Sequence, residues 1–183
     1  MITQKGLHWD AENYQSQATL QRDIGLEAIK RLNIKKTDHI LDIGCGDGSL
    51  SIVLAKKAPL GRIIACDISE EMAHKTAETL EQHRIHYGEA ICENAVHLNY
   101  QQEFDVIFSN MMAHWVPNQH KFYKILCKSL KPGGRMMLSV FVEWRDVDPV
   151  TMEDLPEELD DETKDLCCPW QIATSIFYDI LIS

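Results

Sequence analysis

ILDIGCGDGSL, residues 40 to 50, places three glycines at every second position after a short apolar run containing an acid. The run HILDI (39 to 43) is too continuous for a strand with one wet face. Three others look the same: RIIACDI (62 to 68), FDVIFSN (104 to 110) and RMMLSVFV (135 to 142). Strands buried on both faces have this composition. Segments with helical period lie between them. A helix from Ser49 to Lys57 follows the glycine turn, and Ser69 reads as an N-cap before Glu70, Glu71 and a stripe of Met72, Ala73, Thr76, Ala77 and Leu80. Phe122, Ile125, Leu126 and Leu130 form a further stripe, stopped by Lys131-Pro132-Gly133-Gly134. Leu20, Ile24, Ala28, Ile29 and Leu32 predict an amphipathic helix over the start of the sheet, and a weaker strand is expected at Ile85 to Gly88. Strands alternating with helices imply right-handed crossovers, so the expected fold class is α/β with a doubly wound, mostly parallel sheet.

At 183 residues and 45% hydrophobic, the chain can build one sizeable core. Its net charge of −10 is local: residues 146 to 165 hold ten acids against Lys164, whereas residues 1 to 145 hold acids and bases in equal number. No basic surface is evident, which argues against nucleic acid as the main partner. The acidic segment reads as a solvated helix face or loop in preference to a docking site for a basic partner. The first ten residues carry no apolar signal region, and no apolar run is long enough to span a bilayer, so a cytoplasmic protein without membrane contact is expected. Six cysteines without CxxC spacing point to reduced thiols, and the histidines show no metal-ligand spacing, so no metal is expected.

The glycine loop Gly44-Cys45-Gly46-Asp47-Gly48 can bring bare backbone against a ligand, or can serve only the geometry of a sharp strand-to-helix turn. In an open α/β sheet, ligands bind outside the carboxyl ends of the strands where the strand order reverses. Asp67, at the end of the second strand, can accept two hydrogen bonds from a ribose diol. That pairing serves either a nicotinamide dinucleotide or an adenosyl sulfonium cofactor. The dinucleotide fingerprint GxGxxG puts its third glycine at residue 49, which is Ser49; here the third glycine is Gly48. Asp42 and Asp47 add two carboxylates beside the turn, which suit a cationic ligand better than a pyrophosphate.

These residues, followed by Phe104-Asp105-Val106-Ile107-Phe108-Ser109-Asn110 and Leu130-Lys131-Pro132-Gly133-Gly134, resemble the successive motifs of class I S-adenosylmethionine-dependent methyltransferases over residues 38 to 142. The resemblance implies a Rossmann-like sheet and S-adenosyl-L-methionine as cofactor. It implies that Gly44, Gly46 and Gly48 lie against the methionine part, that Asp42 and Cys45 of the same motif also bind the cofactor, that Asp67 binds the ribose hydroxyls, and that Ile68 packs on the adenine. Glu89-Ala90 stands for the acid and small residue expected after the third strand, with Glu for the more usual Asp. Ser109 and Asn110 fall beside the sulfonium.

Met111-Met112-Ala113-His114-Trp115-Val116-Pro117 is similar to the region after motif IV in small-molecule carboxyl methyltransferases, a group that includes trans-aconitate, malonyl-carrier and juvenile hormone acid methyltransferases. Tyr14 and Gln21 match the N-terminal helix of the juvenile hormone acid type. This implies that Gln21 and Trp115 hold a small-molecule methyl acceptor while Tyr14 helps cover the cofactor. Trp115 packing the sheet edge is the other reading. His114 is either a base for a phenol or amine acceptor or a hydrogen-bonded structural residue. A carboxylate acceptor needs no base, because it is already ionised near neutral pH.

The expected organisation is an N-terminal cap and helix (1–37), a cofactor-binding core (38–142), and an acidic segment with a tail (143–183). The last two strands of the family's sheet are expected to be shortened or missing. The apolar ending, Trp170 to Leu181, reads as one helix or one edge strand, so the tail, self-association or another partner is expected to cover the open sheet edge. Two alternatives remain: a cofactor-binding protein without catalysis, suggested by the short C-terminal part, and an NAD-dependent oxidoreductase, disfavoured by Ser49.

Overall fold

The computed structural model describes the backbone of residues 11–140 and the side chains of residues 19–140. The elements are α1 (Ala11–Arg31), β1 (His39–Ile43), α2 (Ser49–Lys57), β2 (Arg62–Asp67), α3 (Glu70–Gln82), β3 (Gly88–Cys92), β4 (Phe104–Asn110), α4 (Gln119–Ser129) and β5 (Leu130–Ser139). Short 3-10 turns at Ala95–His97 and Ala113–Trp115 flank β4. The strands form one parallel sheet in the order β3-β2-β1-β4-β5. The chain winds outward from β1 to β3, then returns to start again at β4, so the order reverses between β1 and β4.

The continuous apolar runs are explained by two core layers, one on each face of the sheet. Ile40, Ile63, Val106, Phe108 and Met137 pack in one layer with Ala28 and Ile29 of α1, Leu32 just after it, Leu54 and Ala55 of α2, and Leu80 of α3. The intervening Leu41, Ile43, Ile64, Cys66 and Ile107 face Phe122 and Leu126 of α4. A strand covered on both sides favours apolar residues at successive positions. The helices obey the same logic. Ser69 Oγ caps α3 by accepting from the Met72 amide, and α3 buries Ala73, Thr76 and Leu80 while Ala77 stays exposed.

Two expectations need correction. The third strand is Gly88–Cys92, beginning where the expected one ended. Ile85 and Tyr87 belong instead to the turn after α3, where Arg84 takes a φ of 56° and the Gly88 amide donates to the Ile85 carbonyl. The fifth strand starts at Leu130, not Arg135. Leu130 pairs with Phe104 and Arg135 with Val106, so Lys131 to Gly134 are accommodated as an irregularity inside the strand. The expectations for the acidic segment, for shortened or missing last strands and for the apolar ending fall outside the described residues. Among the described residues no helix is long and apolar enough to cross a membrane.

Candidate functional site

The glycine loop is tied to the end of β2, because the Cys66 carbonyl accepts from both the Gly44 and Cys45 amides, at 2.8 and 3.1 Å. Gly44, Gly46 and Gly48 all have left-handed backbones, with φ of 74°, 57° and 78°. Each answers a different need. A Cβ on Gly44 would lie 2.5 Å from Met112 Cγ, and one on Gly48 would lie 3.0 to 3.1 Å from Thr76. A Cβ on Gly46 would meet nothing within 4 Å, so the middle of the turn offers its backbone to open space. Thr76 Oγ1 fixes that peptide by donating to the Gly46 carbonyl at 2.8 Å.

Three acids surround the turn. Asp67 Oδ2 accepts from the Gly46 amide at 3.0 Å and Oδ1 from the Ser69 amide at 2.9 Å. Each oxygen keeps a further lone pair, so a carboxylate held in this way can still receive a diol. Asp42 is buried beneath the loop and accepts from Ser51 Oγ at 2.5 Å. Burial, with the nearby charge of Asp67 adding to it, pushes the Asp42 carboxyl up to about 7 against the opposing Ser51 bond. Burial also works against the charge of Asp47, but hydrogen bonds from Ser49 outweigh it and hold that carboxyl below the usual range. The Cys45 thiol turns inward to Thr76, and burial raises it well above the usual range; burial pushes Cys66 up to about 12. Both are inert thiols.

Ser109 and Asn110 end β4. Ser109 Oγ and Asn110 Oδ1 are buried without a hydrogen-bond partner, while Asn110 Nδ2 donates to the Gln21 carbonyl in α1 at 2.9 Å. Beyond them Met111 takes a φ of 56°, and Met112 folds against Gly44. The next turn carries His114 and Trp115, whose rings lie 5.2 Å apart. Trp115 is 77% exposed and Ile68 69%, far above what such side chains usually show. Burial lowers the His114 imidazole below its ordinary range, which leaves it neutral at pH 7.

Asp42, Gly44, Cys45, Gly46, Gly48, Asp67, Ile68, Ser109, Asn110 and the main chain of Gln21 thus come together at the carboxyl ends of β1, β2 and β4. The Gln21 side chain is exposed. The side chain of Tyr14 lies outside the described residues. Glu89 and Ala90 do not join the group. They sit within β3 opposite Ile64 and Ala65, and Glu89 pairs with Arg62 at 2.6 Å. The residues that do follow β3 are Glu93, whose amide donates to the Asp67 carbonyl, and Asn94, whose Oδ1 accepts from the Val96 amide. The signal for them was Ala95 and Leu98, two buried residues at the spacing of a single turn just beyond a strand end.

An open Gly46 backbone, an acid held by amides beside it and two orphaned polar atoms at the end of β4 fit an adenosyl amino-acid ligand. Residues 34–181 match a family model described as a methyltransferase domain. The chain belongs to the class I S-adenosylmethionine-dependent methyltransferases. This methyltransferase is 30% identical over 143 residues to malonyl-[acyl-carrier protein] O-methyltransferase of Priestia megaterium, covering 76% of this chain and 51% of that protein. It is 29% identical over 126 residues to trans-aconitate 2-methyltransferase of Rhodopseudomonas palustris, covering 69% and 47%. The chain spans about half the length of these curated relatives. Among solved structures, a SAM-dependent methyltransferase from Aquifex aeolicus superposes with a TM-score of 0.60 at 23% identity, covering 68% of each chain. Phosphoethanolamine N-methyltransferase 2 of Haemonchus contortus, solved with S-adenosyl-L-methionine, gives 0.58 at 24% identity, covering 63% of this chain and 27% of that one. Both share the fold.

Proposed function

We propose that this methyltransferase moves a methyl group from S-adenosyl-L-methionine to a small-molecule carboxylate. The observation that carries the cofactor side is the Asp67 carboxylate, held by the Gly46 and Ser69 amides next to the one glycine of the loop whose Cβ position is open. Bound there, S-adenosyl-L-methionine supplies a methyl group on a cationic sulfur. Asp67 receives the ribose hydroxyls, Ile68 covers the adenine face, and Glu93 and Asn94 stand at its edge in place of Glu89 and Ala90. Gly44 to Gly48 and the acid Asp42 accommodate the positively charged methionine end.

The acceptor side is supported by the names of the relatives and by the chemistry of the residues after β4. A carboxylate is ionised at neutral pH, so no group has to remove its proton. The work of Trp115, Gln21 and Tyr14 is then to align the acceptor oxygen with the methyl carbon and to exclude water. Alignment of this kind can contribute roughly 7 to 11 kcal/mol. A second reading is favoured by His114, a neutral, half-buried imidazole that can accept a proton from a phenol or amine.

The test is turnover with labelled S-adenosyl-L-methionine and a panel of small acids, phenols and amines. Base-labile methyl esters should form, and Asp67→Ala should lower kcat/KM by about 100-fold or more, the scale of losing hydrogen bonds to a charged group. Transfer to phenols or amines alone would move the acceptor reading to His114. Binding without any turnover would mark a cofactor-binding chain without catalysis.

A further inference from the structure

Trp115 stands exposed at the end of a 3-10 turn of three residues, Ala113–Trp115. A side chain with so little packed around it points where its backbone points. The turn itself is held only by the Trp115 amide on the Met112 carbonyl at 2.8 Å and the Val116 amide on the Ala113 carbonyl at 3.2 Å, and so short a 3-10 segment has little strength of its own. The direction of the indole therefore depends on what else grips the turn. Ahead of it, the Met111 amide donates to the Ser139 carbonyl of β5 at 2.8 Å, and Met112 rests against Gly44. Behind it, Gln119 takes hold. Gln119 Nε2 donates to the Ala113 carbonyl and to the Val116 carbonyl, at 2.7 Å each. Carbonyls only accept, so the nitrogen end of the amide must face them, and both of its hydrogens are used. Gln119 is the first residue of α4, and that helix is capped by Asn118, whose Oδ1 accepts from the Lys121 amide at 2.9 Å. The Gln119 side chain is thus free of capping and folds back over Pro117 and Asn118 to grip the turn. Its support is firm, because α4 buries Phe122 and Leu126 against the sheet.

We propose that Gln119 is a positioning residue for methyl transfer, whose amide fork aims Trp115 at the methyl acceptor with α4 as the fixed support. This rests on the reading of Trp115 as an acceptor contact and adds the residue through which the fold directs it. The two ends of the segment then serve different sites. Ser139 and the packing of Met112 secure the end beside the glycine loop, and Gln119 secures the end that carries the indole.

The experiment compares wild type, Gln119→Glu, Gln119→Lys, Trp115→Ala and the double variant Gln119→Glu/Trp115→Ala, each as the whole chain. Each is titrated calorimetrically with S-adenosylhomocysteine and assayed with labelled S-adenosyl-L-methionine and the best acceptor of the panel above. Glutamate has nearly the shape of glutamine but turns an oxygen toward two carbonyls. Gln119→Glu should therefore lower kcat/KM for the acceptor roughly 10- to 100-fold, the scale of losing two neutral hydrogen bonds. Its affinity for S-adenosylhomocysteine should match wild type. Lysine again offers donors, so Gln119→Lys should recover part of the loss. A role confined to the helix demands the opposite order, because the first turn of α4 favours a negative side chain over a positive one. In the Trp115→Ala background Gln119→Glu should cost little more, since the fork has nothing left to aim. Gln119→Lys falling below Gln119→Glu would overturn the proposal. So would S-adenosylhomocysteine affinity falling in step with turnover, or the full cost of Gln119→Glu persisting without Trp115. Trp115→Ala turning over like wild type would overturn the acceptor reading of Trp115, as would a wild type that binds S-adenosylhomocysteine and methylates nothing in the panel, and the role of Gln119 would fall with it.

Discussion

Asp42 lies beneath the glycine loop with 2% of its surface exposed and Ser51 Oγ as its hydrogen-bond donor. An aspartate ordinarily titrates near 4, and here burial pushes it up to about 7. Between those values the folded chain keeps a proton that the unfolded chain has released. Stability contributed by this group therefore falls as pH rises through the window and levels off above it. Asp42→Asn keeps an acceptor for Ser51 and removes the titration. Its Tm should gain on wild type steadily from pH 4 to 7, with an advantage on the order of 4 kcal/mol as the upper bound. Thermal denaturation of both proteins across that range measures it, and a constant difference would show that Asp42 does not titrate there. A buried carboxylate whose charge is disfavoured by burial is well suited to a cationic ligand, whose charge offsets the burial of the anion. The residue was legible from its place before the loop. Its protonation was not, because burial is set by α2 and the sheet rather than by neighbours in sequence.

At the scale of elements, the turn between β1 and α2 separates packing from binding glycine by glycine. All three have left-handed backbones, which cost a side chain about 1 to 2 kcal/mol. Only Gly48 also presses on Thr76 of α3, and only Gly46 faces open space. Gly48→Ala should therefore lower Tm several degrees more than Gly46→Ala, whereas Gly46→Ala should lose more affinity for S-adenosylhomocysteine per degree lost. Paired melting curves and titrations decide it, and equal ratios in the two variants would show that the turn acts only as a turn. The spacing of the three glycines was legible in the sequence; their division of labour depends on Met112 and Thr76, which arrive from other elements. The third strand shows why an element can be misplaced. None of its residues is fully buried and Glu89 and Cys92 are exposed, so it carried little apolar signal. The stronger signal of Ile85 came from a turn packed into the core, so Glu89 and Ala90, expected after the strand, fall within it.

For the molecule as a whole, two buried faces explain why the sheet could be read so directly. β1, β2 and β4 alternate between the layer of α1, α2 and α3 and the layer of α4, so their central residues are apolar on both faces and polar residues gather towards their ends. That arrangement puts the order reversal between β1 and β4, the end at which the glycine loop, Asp67 and Asn110 lie. At the other end Arg135 pairs with buried Asp38 and donates to the Leu32 carbonyl at 3.0 Å, tying the end of α1 to β5. The helix is thus secured at both ends of the sheet, by Arg135 at one and by Asn110 at the other. Neither tie was legible in the sequence, since each joins residues about 90 or more positions apart.

The central claim is that the carboxyl end of this sheet is an adenosyl-cofactor site organised by Asp67. It is tested most directly by calorimetric titration of the purified chain with S-adenosylhomocysteine, with NAD as control. The account predicts saturable one-to-one binding of S-adenosylhomocysteine, none of NAD, and loss of binding in a folded Asp67→Ala variant. A folded wild-type chain that ignores S-adenosylhomocysteine, or an Asp67→Ala variant that binds it as tightly, would contradict it.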